Sequence, residues 1–132
     1  MPHERTAGTE AWLALAAADL RMAELGLPDA VVSPDVAGLV CFHAQQCAEK
    51  ALKGSLVAAD RPVPRAHDVV LLLTSVAAGT ALPPALMEAT ALLAEYGVGP
   101  RYPGFVAGRS ADEATAAIEA ARLILAWVTA LV

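Results

Sequence analysis

Cysteine, aromatic side chains and positive charge are all scarce in this chain of 132 residues. The two cysteines, Cys41 and Cys47, fall in one helical stretch, where a rise of 1.5 Å per residue sets their Cα atoms about 9 Å apart, too far for a bridge. Both are expected to be reduced, packed thiols. Nine Lys and Arg against 14 Asp and Glu leave a net charge of -5, which excludes unspecific grip on nucleic acid, since that needs a basic surface to release phosphate counterions. His3, His43 and His67 are scattered, with no Cys-x-x-Cys and no His pair one helical turn apart, so zinc has no local nucleus. Neither a Gly-x-x-x-x-Gly-Lys loop nor Gly-x-Gly-x-x-Gly after a strand occurs, and no metal or cofactor is expected. The opening MPHERTAGTE has no apolar run of the signal-peptide kind, which makes the cytoplasm the expected compartment. The longest uncharged run, Val69 to Met87, contains Gly79, Pro83 and Pro84, and reads as a buried helix, a turn and the start of another helix rather than a membrane span.

Apolar residues are abundant at 57%, enough for the core of one domain over residues 1–132, the first eight forming a flexible lead. Alternating strand patterns are missing while alanine and three-four spacings are frequent, so the fold class is all-α. A first helix is expected from about Thr9 to Leu25, with Trp12, Leu15, Ala16, Asp19, Leu20 and Ala23 at spacings of three and four and Gly26 as its stop. Ser33-Pro34-Asp35 opens a second helix as N-cap, N1 proline and first-turn acid; it runs to about Ala58, before Pro62 and Pro64. A third starts near Arg65 or Ala66 and stops at Gly79, and a fourth runs from Pro83-Pro84 to Tyr96-Gly97. After the turn-rich GVGPRYPGFVAG, Ser110-x-x-Glu113 has the form of a capping box and opens the last helix.

The second helix carries a polar row that its apolar surroundings make conspicuous. His43, Gln46, Lys50 and Lys53 follow one another at spacings of three, four and three, while Val40, Ala44, Cys47, Ala48, Ala51 and Ser55 form a strip of small residues. With Phe42-His43-x-Gln45-Gln46-x-x-Glu49-Lys50-x-Leu52-Lys53 go Trp12 and Asp19-Leu20-x-x-Ala23, His67-Asp68, Tyr96, and Arg101-Tyr102-Pro103 ahead of Ser110-x-x-Glu113. In that order, from Trp12 to Trp127, the chain resembles the HEPN family, the higher eukaryotes and prokaryotes nucleotide-binding domain.

The resemblance implies an up-and-down bundle of four main helices plus a short extra one, a homodimer, and a small nucleotidyltransferase as partner. It also implies a site for a nucleotide or RNA end, with Gln46, Lys50, Lys53, Arg101 and Tyr102 as ligand-binding or interface candidates. Arg101 offers a planar fork for phosphate and Tyr102 a face on which a base can stack. Glu49 is expected as an ion-pair partner in support, and Gln45 as a group hydrogen-bonded inside the bundle. Ribonuclease members of the family carry an Arg followed four to six residues later by a His near the last helix; here no His follows Arg101, and no catalytic residue is assigned.

Two alternatives remain at this point. One is an RNA-cleaving toxin of a toxin–antitoxin pair, using Arg101 or the Arg61-x5-His67 pair with Asp68, which has the ribonuclease spacing in a different place. The simpler reading of that pair gives Asp68 the start of the third helix and His67 a hydrogen bond to a neighbouring segment. The other alternative is a helical adaptor with no ligand. On the last helix, Ala114, Ile118, Ala121, Leu125 and Val128 make one apolar stripe and Ala117, Ala120, Ile124, Trp127 and Leu131 a second. The second stripe nominates Ile124, Trp127 and Leu131 as the dimer interface.

Overall fold

A computed structural model describes residues 2–77, 81–97 and 108–132, with side chains from residue 8 onward. Among these residues there are five helices and no strand: α1 (Pro2–Ala30), α2 (Pro34–Ala58), α3 (Val69–Ala77), α4 (Pro84–Ala94) and α5 (Ala111–Leu131). The caps legible in the sequence form. The Ser33 hydroxyl accepts from the Val36 backbone N–H at 3.2 Å, and Ser110 and Glu113 exchange both bonds of the capping box at 3.0 and 3.1 Å.

Helix bounds differ from expectation in several places: α1 already begins at Pro2 rather than near Thr9, and α3 begins at Val69 rather than near Arg65 or Ala66. Gly26 does not stop α1, which continues past it to Ala30. A Cβ there would stand 2.9 Å from a Val40 methyl, so this glycine serves the approach of α2 rather than a left-handed turn. At the end of α2 the prolines are not the terminator. Asp60 takes a left-handed conformation (φ 58°), and the N–H groups of Asp60 and Arg61 bond back to Val57 and Leu56, a Schellman closure reached two residues before Pro62.

The most extensive packing is between α1 and α2. These helices are antiparallel: Trp12 lies against Gly54, Asp19 meets His43 and Lys50, and Gly26 meets Val40. The end of α4 returns to the start of α2, with Gly97 over Gln45, and α5 then runs alongside α2 from Pro34 to Leu56. The four long helices thus alternate in direction, with short α3 beside the second half of α2. The whole small-residue strip of α2 is buried, together with Leu52, Leu56, Leu72, Leu93, Ile118 and Val128.

α5 corrects the expected dimer stripe. Ile124 is 0% exposed and Trp127 packs partly against the core, because α5 is covered by α1, α2 and α4 and buries residues of both expected stripes at once. Ala114, Ala117, Ile118, Ala121, Ile124 and Val128 form a single inward face. Ile124 is therefore unavailable to a second subunit, and of the three residues only Leu131, 56% exposed, is open. Leu15 on α1 points outward, 51% exposed.

The α1–α2 contact rests on Gly54, where a Cβ would come within 3.0 Å of the Trp12 Cβ. Gly54→Val is expected to force the two helices apart and lower stability by about 1–3 kcal/mol, read as a lower urea midpoint at an unchanged slope.

Candidate functional site

The polar row of α2 lies along the seam where α1 and the segment before α3 meet it. Close backbone approach leaves no room for these long side chains to point inward, so they lie along the seam and find partners there. Asp19, buried on α1, accepts from His43 Nδ1 at 2.9 Å and from Lys50 Nζ. Because a carboxylate only accepts, this contact fixes the proton on His43 Nδ1. Burial alone would raise the Asp19 carboxyl, but the hydrogen bonds from His43 and Lys50 and the charge of Lys50 outweigh it and hold the group below the usual aspartate value.

One turn further along, the buried Glu49 carboxylate accepts from Lys53 Nζ at 3.3 Å and from His67 Nδ1 at 3.1 Å. The Lys53 ammonium also stands 5.7 Å from the centre of the Trp12 ring, a cation–π contact in a largely dry setting. Gln45 donates to the His67 carbonyl at 3.0 Å from inside the bundle. The Gln46 side-chain carbonyl is shielded from solvent and has no hydrogen-bond partner among the described residues.

Gln46, Lys50 and Lys53 are thus brought onto one seam, but neither lysine is a spare cation: each is matched to a carboxylate of its own bundle. Arg101 and Tyr102 lie outside the described residues. The described ends of their loop are anchored on another side of α2. Arg109 donates its backbone N–H to the Pro34 carbonyl at 3.1 Å, and its guanidinium lies 4.9 Å from the centre of the Tyr96 ring. Tyr96 and Arg109 both donate to Glu113 at 3.4 Å. The Ser110 backbone N–H holds Glu113 below its usual value, against the opposing effect of burial. Burial pushes Tyr96 up to about 12, and pushes the Cys41 and Cys47 thiols up to about 11 and about 12, so both thiols are inert.

The Arg61–His67 pair is divided in use. Arg61 donates to the Ser75 and Val76 carbonyls at 2.8 and 3.2 Å, closing the C-terminal end of α3, while His67 turns to Glu49. Asp68 caps the start of α3 through the Val70 and Leu71 N–H groups. A cleft of about 350 Å³ lies beyond Arg61, lined also by Ser55, Leu56, Val76 and Leu131, away from the polar row. No group of metal-binding side chains occurs among the described residues.

The comparisons with known proteins bear on the same elements. The HEPN domain model matches residues 9–131, nearly the whole chain and every helix that builds the seam. The chain belongs to the HEPN family. Among solved structures, TT1696 from Thermus thermophilus is similar at 32% identity and a TM-score of 0.80, over 94% of this chain and 98% of that one. ST0689, an archaeal HEPN homologue, is similar at 29% identity and a TM-score of 0.74, over 93% and 96% of the two chains. A HEPN domain protein from Thermotoga maritima, TM0613, shares the fold at 22% identity, with a TM-score of 0.73 over 92% and 96%. No curated protein matches.

Sequence reasoning missed the role of Asp19 as the shared acceptor for His43 and Lys50, although a lone carboxylate among the inward residues of the first helix is its signal. It also missed Arg109, whose position one residue ahead of the capping box gave no hint of the stacking on Tyr96. Replacing Asp19 by Asn leaves Lys50 without its counter-charge and is expected to cost about 1–3 kcal/mol near neutral pH. Because the folded-state value of Asp19 is depressed, its contribution is complete above the ordinary aspartate value near 3.9 and is lost as pH falls through the lower folded value. The gap between wild type and Asp19→Asn in urea unfolding should therefore close on acidification below about pH 4.

Proposed function

We propose that this HEPN-family chain is a binding module without chemistry of its own. It works as a cytoplasmic homodimer, partners a small nucleotidyltransferase, and takes a nucleotide or RNA end at Arg101 and Tyr102. What supports the absence of chemistry is the division of Arg61 from His67: the guanidinium closes α3 while the imidazole is held on Glu49, so the Arg and His at ribonuclease spacing are committed to different tasks. Acid–base cleavage of RNA requires such groups to converge on one phosphate.

The pairing of each row lysine with a carboxylate leaves Gln46 and Lys50 a nearly neutral surface suited to a protein partner, with Lys53 buried beneath it, and leaves the phosphate to Arg101. The purified protein is expected to leave a 5′-phosphorylated RNA intact over hours, with or without magnesium, and to bind that RNA or ATP about tenfold more weakly as Arg101→Ala. Cleavage lost in His67→Ala would overturn the reading in favour of the ribonuclease, and equal affinity in Arg101→Ala would remove the loop from the binding site. Co-sedimentation with a small nucleotidyltransferase is the expected partner result, and separate sedimentation would exclude it.

A further inference from the structure

α1 presents to solvent a seam that nothing in the bundle covers. Ala11, Leu15, Ala18, Met22 and Leu25 follow one another at spacings of four, three, four and three, and all five are exposed. Leu15, Met22 and Leu25 are 51%, 54% and 55% exposed. This is the spacing of a helix-pairing seam, with large residues set between alanines. It is distinct from the inward face of α1, which buries Ala16, Asp19 and Ala23.

Two charges flank the seam, Glu10 and Arg21, both exposed and neither ion-paired among the described residues. They are opposite in sign and 11 residues apart, about 16 Å along the axis, so they share one edge of the helix. A parallel two-fold copy carries this edge to opposite sides of the interface, so neither charge meets its complement. An antiparallel copy, related by a two-fold axis near Leu15, sets Glu10 of each helix beside Arg21 of the other. In that register the two Leu15 side chains meet near the axis among Ala14 and Ala18, and Met22 of each helix falls near Ala11 of the other. Small residues thus flank the large ones at the contact, which lets the two helices approach.

We propose that a second copy of this chain occupies the outward seam of α1, in an antiparallel two-fold pairing fastened by two reciprocal Glu10–Arg21 ion pairs. The assembly rests on the homodimer of the functional reading above and places its interface on α1 rather than on α5. A pairing of single helices is at the small end of stable interfaces, so the dimer dissociates in the micromolar range.

Sedimentation of the full chain from about 2 to 200 μM reads the assembly. The wild type is expected to pass from monomer to dimer across that range. Leu15→Asp should raise the dissociation constant about a hundredfold with an unchanged far-ultraviolet spectrum at concentrations where both proteins are monomers, since Leu15 is not part of the buried core. Glu10→Arg and Arg21→Glu should each weaken the dimer about tenfold, and the double variant carrying both changes should recover wild-type affinity. A monomer throughout would overturn the seam and the homodimer together. A dimer indifferent to Leu15→Asp would overturn the seam alone, and failure of the double variant to recover would overturn the antiparallel register.

Discussion

How closely α1 and α2 approach decides most of what this bundle can present. Gly26 and Gly54 remove the side chains that would hold the helix axes apart, and the buried alanines and cysteines of α2 continue the same low relief. Packing at this distance shields the Asp19 and Glu49 carboxylates from water. A carboxylate or ammonium placed there must find its counter-charge within the bundle, because an unpaired buried charge costs several kcal/mol. Asp19 and Glu49 are the consequence: each is surrounded by one lysine and one histidine, and the two clusters follow one another along the seam.

That arrangement changes the meaning of the polar row. Read along α2 alone, the lysines look like free positive charge in an acidic protein. Read across to α1 and to the segment before α3, they are the neutralised half of two ion clusters, and what reaches the surface is largely balanced. The loop that carries Arg101 and Tyr102 is tied at both described ends to the first half of α2, through Gly97 over Gln45 and Arg109 on Pro34. Lys53 lies 12 residues beyond Cys41, the neighbour of Tyr96 in this region, which is roughly 18 Å along the helix. The lysines and the Arg109 end of the loop therefore serve different parts of the molecule, while the Gly97 end lies over Gln45, one turn from Glu49.

Features governed by local chemistry were legible in the sequence, and features governed by a distant neighbour were not. Ser33 and the Ser110–Glu113 box announce themselves because a cap is satisfied within four residues. Gly26 misled because glycine has two uses, backbone freedom and closeness, and only the position of Val40 tells them apart. Asp60 went unnoticed as the end of α2 because a left-handed residue is sought among glycines. Ile124 was assigned to the wrong surface because spacing within one helix reveals two apolar stripes without revealing that three neighbours bury both. The partners of His43 and Lys50 lie 24 and 31 residues away on another helix, and no periodicity of α2 encodes them. The candidate site was legible as a set of residue types on α2, and its charge balance was not.

Gln45 joins parts of the chain that are far apart in sequence. Its amide holds the carbonyl of His67, and its flank lies beneath Gly97. The connector into α3 and the exit from α4 consequently share one fastening, reinforced on one side by the His67–Glu49 contact. Native proteins open in cooperative segments rather than residue by residue. Opening at either described end would strip Gln45 of one of its two contacts, which couples the entry to α3 with the exit from α4.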